Sequence, residues 1–531
     1  GADFSEARLS GTRFGLATLE DTDFAFAQSI CSWGGSVPDP NCASFVGASL
    51  TGADFGWAHL DGAVFSQVNG DCVGDVCTLF PSAWLRGSDF SQASLDGANF
   101  NGASLGQANL AGASFEDAIF VLALLDGATA VCTEPPCGVD MDRANLELAS
   151  LVDVDFDSAS LVGSRLTNAT LTRATLTRAQ LTSADLNAAL LSGIRLSGSD
   201  LSDAVLRAAE GGCVAPPVGS GDTDPWCPEF AGASLIRADL SFAQINGAVM
   251  TTADLSEAVL VDALFDGLSD PCTVPSEEGE GYTCMIVSPP GAGQGTDMTG
   301  LVSRSSDWAG VDLSGARLPG ANLSSTLFSV VRTIEPEGAP SFEETYVANL
   351  SGADLTQAVL SQSDLTGVNL IGALLAQADL SGATLVDVVM DATTVLTGAD
   401  FTTSALSGAD LRGAVFDEAE FAEGASVDEA DCTLPDGGSA VDLVGAKLAG
   451  ANFSTSAEFL RGCISVDQTT TYSLETGFPP FFDLQSEMTL VPAPRAIWLQ
   501  ATMLGLVARL RARSRRPIRR AGGAGGSDRA A

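Results

Sequence analysis

Histidine is nearly absent: the 531 residues contain one, His59. A single imidazole excludes every mechanism that needs two, the HExxH zinc proteases included. Basic side chains are scarce as well, 25 Lys and Arg against 67 Asp and Glu, for a formal net charge of −42. An acidic excess of that size argues against a body that binds nucleic acid or an anionic membrane. Only 17% of the chain is charged and 7% aromatic, yet 45% is hydrophobic, which is not the composition of a disordered protein. The length would suit three or four ordinary domains, or one repeat array used as a single body. No initiator Met or leader is visible and Gly1 already lies inside a repeat unit. A chain truncated at its N-terminus is therefore expected.

The charge is unevenly spread. From Arg495 to Ala531 there are nine Arg and one acid, Asp528, which leaves 16 basic and 66 acidic residues before them. The body is thus near −50 and the tail near +8.

What the sequence has in abundance is a five-residue period. Gly-Ala-Asp-Phe at residues 1–4 returns at 52–55 and, with Leu for Phe, at 352–355. The longest clean run takes Met141, Leu146, Leu151, Phe156, Leu161 and onward every fifth residue to Leu206. Two residues before each large side chain sits a small one, such as Ala144, Ala149 or Ala159, and between them a polar one, such as Asn145, Asp155 or Asp185. Neither a helix at 3.6 nor a flat strand at 2.0 accommodates this period. The large and small residues share one side as in a strand, and restarting the pattern every five residues needs a turn in each unit. Gly, Ser, Asp and Asn at the remaining positions suit turns. Four bends close a coil of about 20 residues, and stacked coils bury a continuous column.

The pattern resembles the pentapeptide-repeat family, whose motif Ala-(Asp/Asn)-Leu-x-x is matched in full by Ala353-Asp354-Leu355-Thr356-Gln357. The resemblance runs over most of residues 1–460 and implies an all-β fold. That fold is a right-handed quadrilateral β-helix, to which the cysteine-bearing insertions are expected to add disulfide-tied loops and the end of the chain a short helix. About 16 coils at a strand spacing near 4.8 Å would make a rod on the order of 75 Å long. Val139, Val154 and Ile194 replace the small residue, Leu190 the polar one, and the frame slips by one between Met390 and Leu396. A bulge or widened corner is expected at each. Large insertions are expected at Ala208–Glu229, Gly267–Gly300, Arg332–Tyr346 and Ala422–Asp442, where binding usually lives on a rigid scaffold. Trp33 and Trp226 lie in such loops, as exposed anchors or packed on the wall.

The 12 Cys fall as neighbours in Pro- and Gly-rich stretches that break the register. The pairs are Cys31 with Cys42, Cys72 with Cys77, Cys132 with Cys137, Cys213 with Cys227, Cys272 with Cys284, and Cys432 with Cys463. An even count, local pairing and loop context read as six disulfides made in an oxidising compartment. Zinc is the rival, but no pair has CxxC spacing and the only His is distant from most of them. Free thiols are the third reading.

Beyond Phe453 the repeat fades. Residues 461–490 read as a cap or linker, 491–520 as a separate signal and 521–531 as a disordered tail. The signal has Val491, Pro492 and Pro494, then an uncharged stretch Ala496–Ala508 containing Trp498, then Arg509, Arg511, Arg513, Arg515, Arg516, Arg519 and Arg520. Thirteen uncharged residues make about 20 Å of helix, short of a ~30 Å hydrocarbon core. This order resembles the PEP-CTERM sorting signal of Gram-negative bacteria. The resemblance implies processing by a membrane exosortase near the Pro motif, with the Arg cluster on the cytoplasmic side. The alternatives are a helix that caps the rod or one that lies on a membrane surface.

Chemistry is sparse. His59 precedes Leu60 in register and should point outward. Asp153-Val-Asp-Phe-Asp157 has the look of a calcium loop, but Phe156 is in the core register and the loop's Gly and Glu are missing. Gly291-Ala-Gly-Gln-Gly295 lacks the Lys of a phosphate loop. Arg173 and Arg178 make a basic spot that should be solvated. No nucleophile, base and orienting group occur together, and no metal or cofactor is implied. The expectation is an exported, non-enzymatic structural, adhesion or protein-interaction scaffold, at the cell surface or in the extracellular matrix. It would be anchored transiently in the inner membrane through its C-terminal helix. Its expected partners are an exosortase-type enzyme and an extracellular protein or polysaccharide, not nucleic acid. The alternative is a DNA mimic, since some pentapeptide-repeat proteins are acidic rods that occupy the DNA site of a topoisomerase.

Overall fold

The computed structural model describes residues 1–29, 40–130, 138–215, 226–245, 248–250, 253–263, 298–304, 306, 308, 313–334, 342–406, 409, 414, 416 and 419, with five two-residue strands between 441 and 490. The described residues contain strands, bridges and turns and no helix.

One unit shows why the period is five. Leu146 donates its backbone N–H to the Arg165 carbonyl at 2.7 Å, and the Arg165 N–H returns to the Ala144 carbonyl at 2.9 Å. This makes the polar Asn145 a bridging residue paired with Arg165 of the next coil. The chain then turns: Ala149 N–H donates to the Leu146 carbonyl at 3.0 Å. Leu148, third in that turn, has φ 59°, as a type II turn requires. The next unit starts at Ala149. Bridges are parallel and twenty residues apart where no insertion intervenes, as in Asp140 with Ser160, Asn145 with Arg165, Ser150 with Thr170 and Asp155 with Thr175. Four columns of bridges start at Asp3, Arg8, Arg13 and Thr18 and run to Gln244 or beyond, the Asp3 column reaching Asp400. The small and large residues of each unit face inward and form one continuous buried cluster from Leu9 to Ala419.

The polar position has a structural task. Asp3, Asp23, Asp54, Asn145 and Asp354 each accept, through a side-chain oxygen, the backbone N–H of the residue two further on. That amide opens the turn and would otherwise lack a partner. Where Ser stands instead, a carboxylate from the preceding coil takes over. Asp71 accepts from Ser94 Oγ at 2.7 Å and from Asp96 N–H at 3.0 Å. Asp142 does the same for Ser160 and Val162, at 2.5 and 2.9 Å.

In the first coils the core is aromatic. Phe4, Phe24, Phe55, Phe80, Phe100 and Phe120 stack along one side, their centroids 4.7–5.2 Å apart. Phe14, Phe45, Phe65 and Phe90 stack on the opposite side at 4.7–5.0 Å. The two stacks meet edge to face, as Phe45 does with Phe55 at 5.4 Å. The ring spacing equals the strand spacing of the ladder, so each coil places a ring face on the ring below it. Offset and edge-to-face contacts of this kind add to plain burial.

Departures from the repeat are handled more simply than the sequence suggests. Val139, Val154 and Ile194 are buried in register with no bulge. Only the Val154 turn bond lengthens, to 3.4 Å, because a β-branched side chain still fits the small site. Leu190 keeps its bridging position and points outward, 40% exposed. The slip after Met390 is a true widened corner. Bridges there run Leu374 with Val395 and Asp379 with Asp400, and Thr394 Oγ1 donates to the Leu370 carbonyl at 2.9 Å.

The insertions differ in kind. Cys72 and Cys77 are joined across a small hairpin bridged by Val73 and Val76, after which Phe80 and Leu85 resume the core. Strand β1 (Glu210–Gly211) pairs in parallel with β2 (Gln244–Ile245), so the ladder continues into the expected insertion at 208–229 before Cys213 and Cys227 close it. Arg332–Tyr346, expected as a loop, is largely two strands. Here β3 (Ser329–Ile334) pairs antiparallel with β4 (Phe342–Val347), as runs rich in β-branched and aromatic residues favour. Parallel pairing also reaches past residue 460. β5 (Val441–Asp442) pairs with β7 (Ile464–Ser465), and β6 (Lys447–Leu448) with β8 (Thr471–Tyr472), which pairs with β9 (Thr489–Leu490). The stretch expected as a cap or linker thus carries three two-residue parallel strands.

Candidate binding surface

With the core filled, function must lie on the outward positions and insertions. Of the cysteines, Cys72–Cys77 and Cys213–Cys227 are disulfides, and Cys42 is disulfide-bonded too. Cys31, Cys132, Cys137, Cys272, Cys284, Cys432 and Cys463 lie outside the described residues. So do Trp33, Gly291–Gly295 and the whole tail signal: Val491, Pro492, Pro494, Trp498, Arg509, Arg511, Arg513, Arg515, Arg516, Arg519 and Arg520. Among the described residues no three His, Cys, Asp or Glu side chains form a metal-binding group, and no helix is long and apolar enough to cross a membrane.

Trp226 packs on the wall rather than standing free. It bridges Val214, sits against Gly193, and carries the Arg195 guanidinium 3.7 Å above its ring, a cation–π contact. Arg173 and Arg178 are not simply solvated. Arg173 forks onto Asp153 at 2.6 and 2.7 Å and Arg178 pairs with Asp157. These pairs use up two of the three carboxylates of the calcium-like run, while Asp155 accepts the Asp157 N–H. Arg237 likewise forks onto Asp203, at 2.7 Å for both contacts, and Arg143 onto Asp117 at 2.9 Å with Glu116 beside it. Each pair joins neighbouring coils on a charged, mostly exposed wall, where such contacts contribute little individually.

Carboxylates also crowd one another, with Arg143 against only one of them, Glu116. Along the Thr18 column Asp140 has Asp142, Glu116 and Asp96 as neighbours. Burial first, and then these three charges, raise its pKa above the usual carboxylate value against the opposing Asp142 N–H bond.

The Arg8 column looks different. From Gln28 it runs through His59, Trp84, Ser104, Leu124, Ser150 and Thr170 to Leu190 with no carboxylate at a bridging position. His59 stacks on Trp84, 4.7 Å between centroids. On the adjoining corner, backbone bonds stack Glu6, Phe26, Trp57, Ser82, Gly102, Leu122 and Leu148 in successive coils. Phe26, Trp57, Trp84, Leu122, Leu124 and Leu148 are 47–56% exposed. Exposed apolar residues gathered on one edge of so acidic a body mark a contact surface. Sequence reading singled out His59 and passed over the tryptophans beside it. The signal was there: large apolar residues at outward positions of the repeat.

These features define a class, a β-helical repeat protein whose described outward positions carry ion pairs, carboxylate clusters and an apolar edge. The pentapeptide-repeat model matches residues 1–28, 41–67, 82–110, 88–127, 149–187, 184–210, 230–267, 348–387 and 394–425, more than half the chain. The chain belongs to the pentapeptide-repeat family. Among solved structures it is similar to HetL, a pentapeptide repeat protein involved in heterocyst differentiation regulation in the cyanobacterium Nostoc. That match has 24% identity over 57% of this chain and 90% of HetL, with a TM-score of 0.18. QnrB1, a plasmid-mediated fluoroquinolone resistance protein, matches at 14% identity over 40% of this chain and 90% of QnrB1, TM-score 0.21. A pentapeptide repeat protein of the Arabidopsis thaliana thylakoid lumen matches at 29% identity over 23% of this chain and 68% of that one, TM-score 0.12. Curated proteins yield no match.

Proposed function

We propose that this chain is an exported, non-enzymatic interaction scaffold, delivered to the cell surface or extracellular matrix of a Gram-negative bacterium. The rod, a right-handed quadrilateral coil, is the spacer; the insertions and the uncharged edge are the contact points. Disulfides that close register-breaking insertions carry this reading: Cys72–Cys77 and Cys213–Cys227 suit an oxidising compartment. The order Val491-Pro492-Ala-Pro494, a Trp498-containing uncharged stretch and an Arg509–Arg520 cluster supplies the address, read by an exosortase-type enzyme. Removing residues 491–531 tests it. The protein should stay in the periplasm or membrane instead of reaching the surface or medium, and an unchanged distribution refutes the sorting role.

The stacked carboxylates of the Thr18 column favour a second reading, an acidic DNA mimic acting on a topoisomerase. Inhibition of gyrase supercoiling by the purified rod would support it. Disulfide-closed insertions weigh against it, because topoisomerases work in a reducing compartment.

A further inference from the structure

We propose that the uncharged edge of the rod is a homodimer interface, on which a second copy of the chain lies antiparallel with its two-fold axis at the Ser82–Trp84 coil. Two bodies of net charge −42 repel through any wall that carries columns of Asp. The Arg8 column from Gln28 to Leu190, with no carboxylate at a bridging position, is the wall on which two copies meet with least repulsion.

The edge is also large enough. Phe26, Trp57, Trp84, Leu122, Leu124 and Leu148 are each about half exposed. With ~150–250 Å² buried per aromatic side chain, together they offer on the order of 600 Å² of apolar surface. A standard interface takes ~800 Å² per partner.

Size complementarity fixes the axis. The corner column reads Glu6, Phe26, Trp57, Ser82, Gly102, Leu122, Leu148 in successive coils. An isologous pairing about Ser82 sets the coil one below against the coil one above. Trp57 then faces the notch at Gly102, Phe26 faces Leu122, and the charged end at Glu6 meets the other end at Leu148. At the ends of the edge the coil of Glu6 and Arg8 opposes the coil of Glu147, so Arg8 on the adjoining face offsets the two carboxylates that share that corner. Moving the axis by one coil sets Trp57 against a bulky neighbour or against itself and loses this match.

Sedimentation velocity of the full chain tests the proposal. The wild type should sediment as a dimer, and Trp57→Glu with Trp84→Glu should weaken dimerisation by at least ~30-fold, the effect of losing an interface hot spot. Leu374→Glu, on another wall, should leave it unchanged. Because a charge could disturb the coil, a swap gives a second reading. Gly102→Trp alone should weaken the dimer by filling the notch, and Trp57→Gly combined with Gly102→Trp should restore it by moving bulk and notch together. Left-handed φ at both positions, 58° and 66°, lets either residue take either place. A monomeric wild type, a dimer that survives the double Glu variant, or a swap that fails to restore would overturn the proposal. So would a monomer whose tryptophan fluorescence shifts with a neutral polysaccharide, which would give the edge to a glycan instead.

Discussion

Trp308 donates its indole N–H to the hydroxyl of Ser303 at 2.9 Å in the centre of the rod. Both are fully buried, and both occupy the position that Leu or Phe fills in other units. One is far too small and the next far too large. Thr326 adds a bond to the Ser303 carbonyl at 2.7 Å, so the pair is compensated in both volume and polarity. Ser303→Leu should therefore destabilise by about 1–3 kcal/mol through overpacking. Trp308→Leu should cost about 3 kcal/mol through the cavity and the orphaned hydroxyl. The double variant should recover much of that loss, a coupling that denaturant melts of the four-member cycle would read. Additive losses would refute the compensation.

Gly70 is another gap in the core column. A methyl group there would stand 2.6 Å from Thr78 Oγ1 and 2.7 Å from Leu95 Cδ2. Thr78, fully buried at a small-residue position, donates to the Gly70 and Leu50 carbonyls at 2.6 and 2.9 Å. Gly70→Ala should lower stability by about 1–3 kcal/mol, and adding Thr78→Ala should reduce the penalty. Thermal unfolding of the two variants is the check.

Asp140 and Asp391 have opposite pH signatures. The pKa of Asp140 is raised in the folded chain by burial and by Asp142, Glu116 and Asp96, so the folded state holds that proton more tightly than the unfolded one. Stability from this group falls as pH rises from the ordinary carboxylate value through the raised one. Asp140→Asn should therefore raise Tm at neutral pH, leave it unchanged in acid, and show a smaller gain at high salt. Asp391, held below the usual value by the Thr393 hydroxyl and then its amide, should behave the other way. Its contribution is present above the usual carboxylate pKa and is lost as pH falls through the depressed one.

Asp142 serves two partners in the coil above, Ser160 and Val162. Asp142→Ala should cost about 1–3 kcal/mol by orphaning both. Asn145→Ala, which frees only the Glu147 N–H, should cost less. Hydrogen exchange at the Val162 amide would localise the first effect.

The period, the inward positions and the turn at each unit were legible in the sequence because large-small alternation is a backbone constraint written directly into residue size. Other features depend on which residues meet one coil away, and a linear reading does not show them. The Asp96–Ser114 and Asp142–Ser160 caps join residues 18 apart. The Arg237–Asp203 pair spans 34 because an insertion intervenes. His59 and Trp84 stack across 25 residues, so the apolar edge emerges only once the coils are aligned. Phe80 and Leu85 keep the five-residue phase of the units before the Cys72–Cys77 hairpin, but which wall they serve depends on how many residues that hairpin takes out of the ladder.

That hairpin has a larger consequence. It adds five residues between the bridges of Asp54 and Leu79, the length of a whole side of the coil, and still projects as a loop instead of becoming a side. Had those residues joined the ladder, every residue downstream would have rotated by a quarter turn, and Leu124 would no longer share a wall with His59. By shunting extra chain outward, the molecule keeps angle independent of length. Insertions can change in size or sequence while the described coils on either side of this hairpin keep their walls in register.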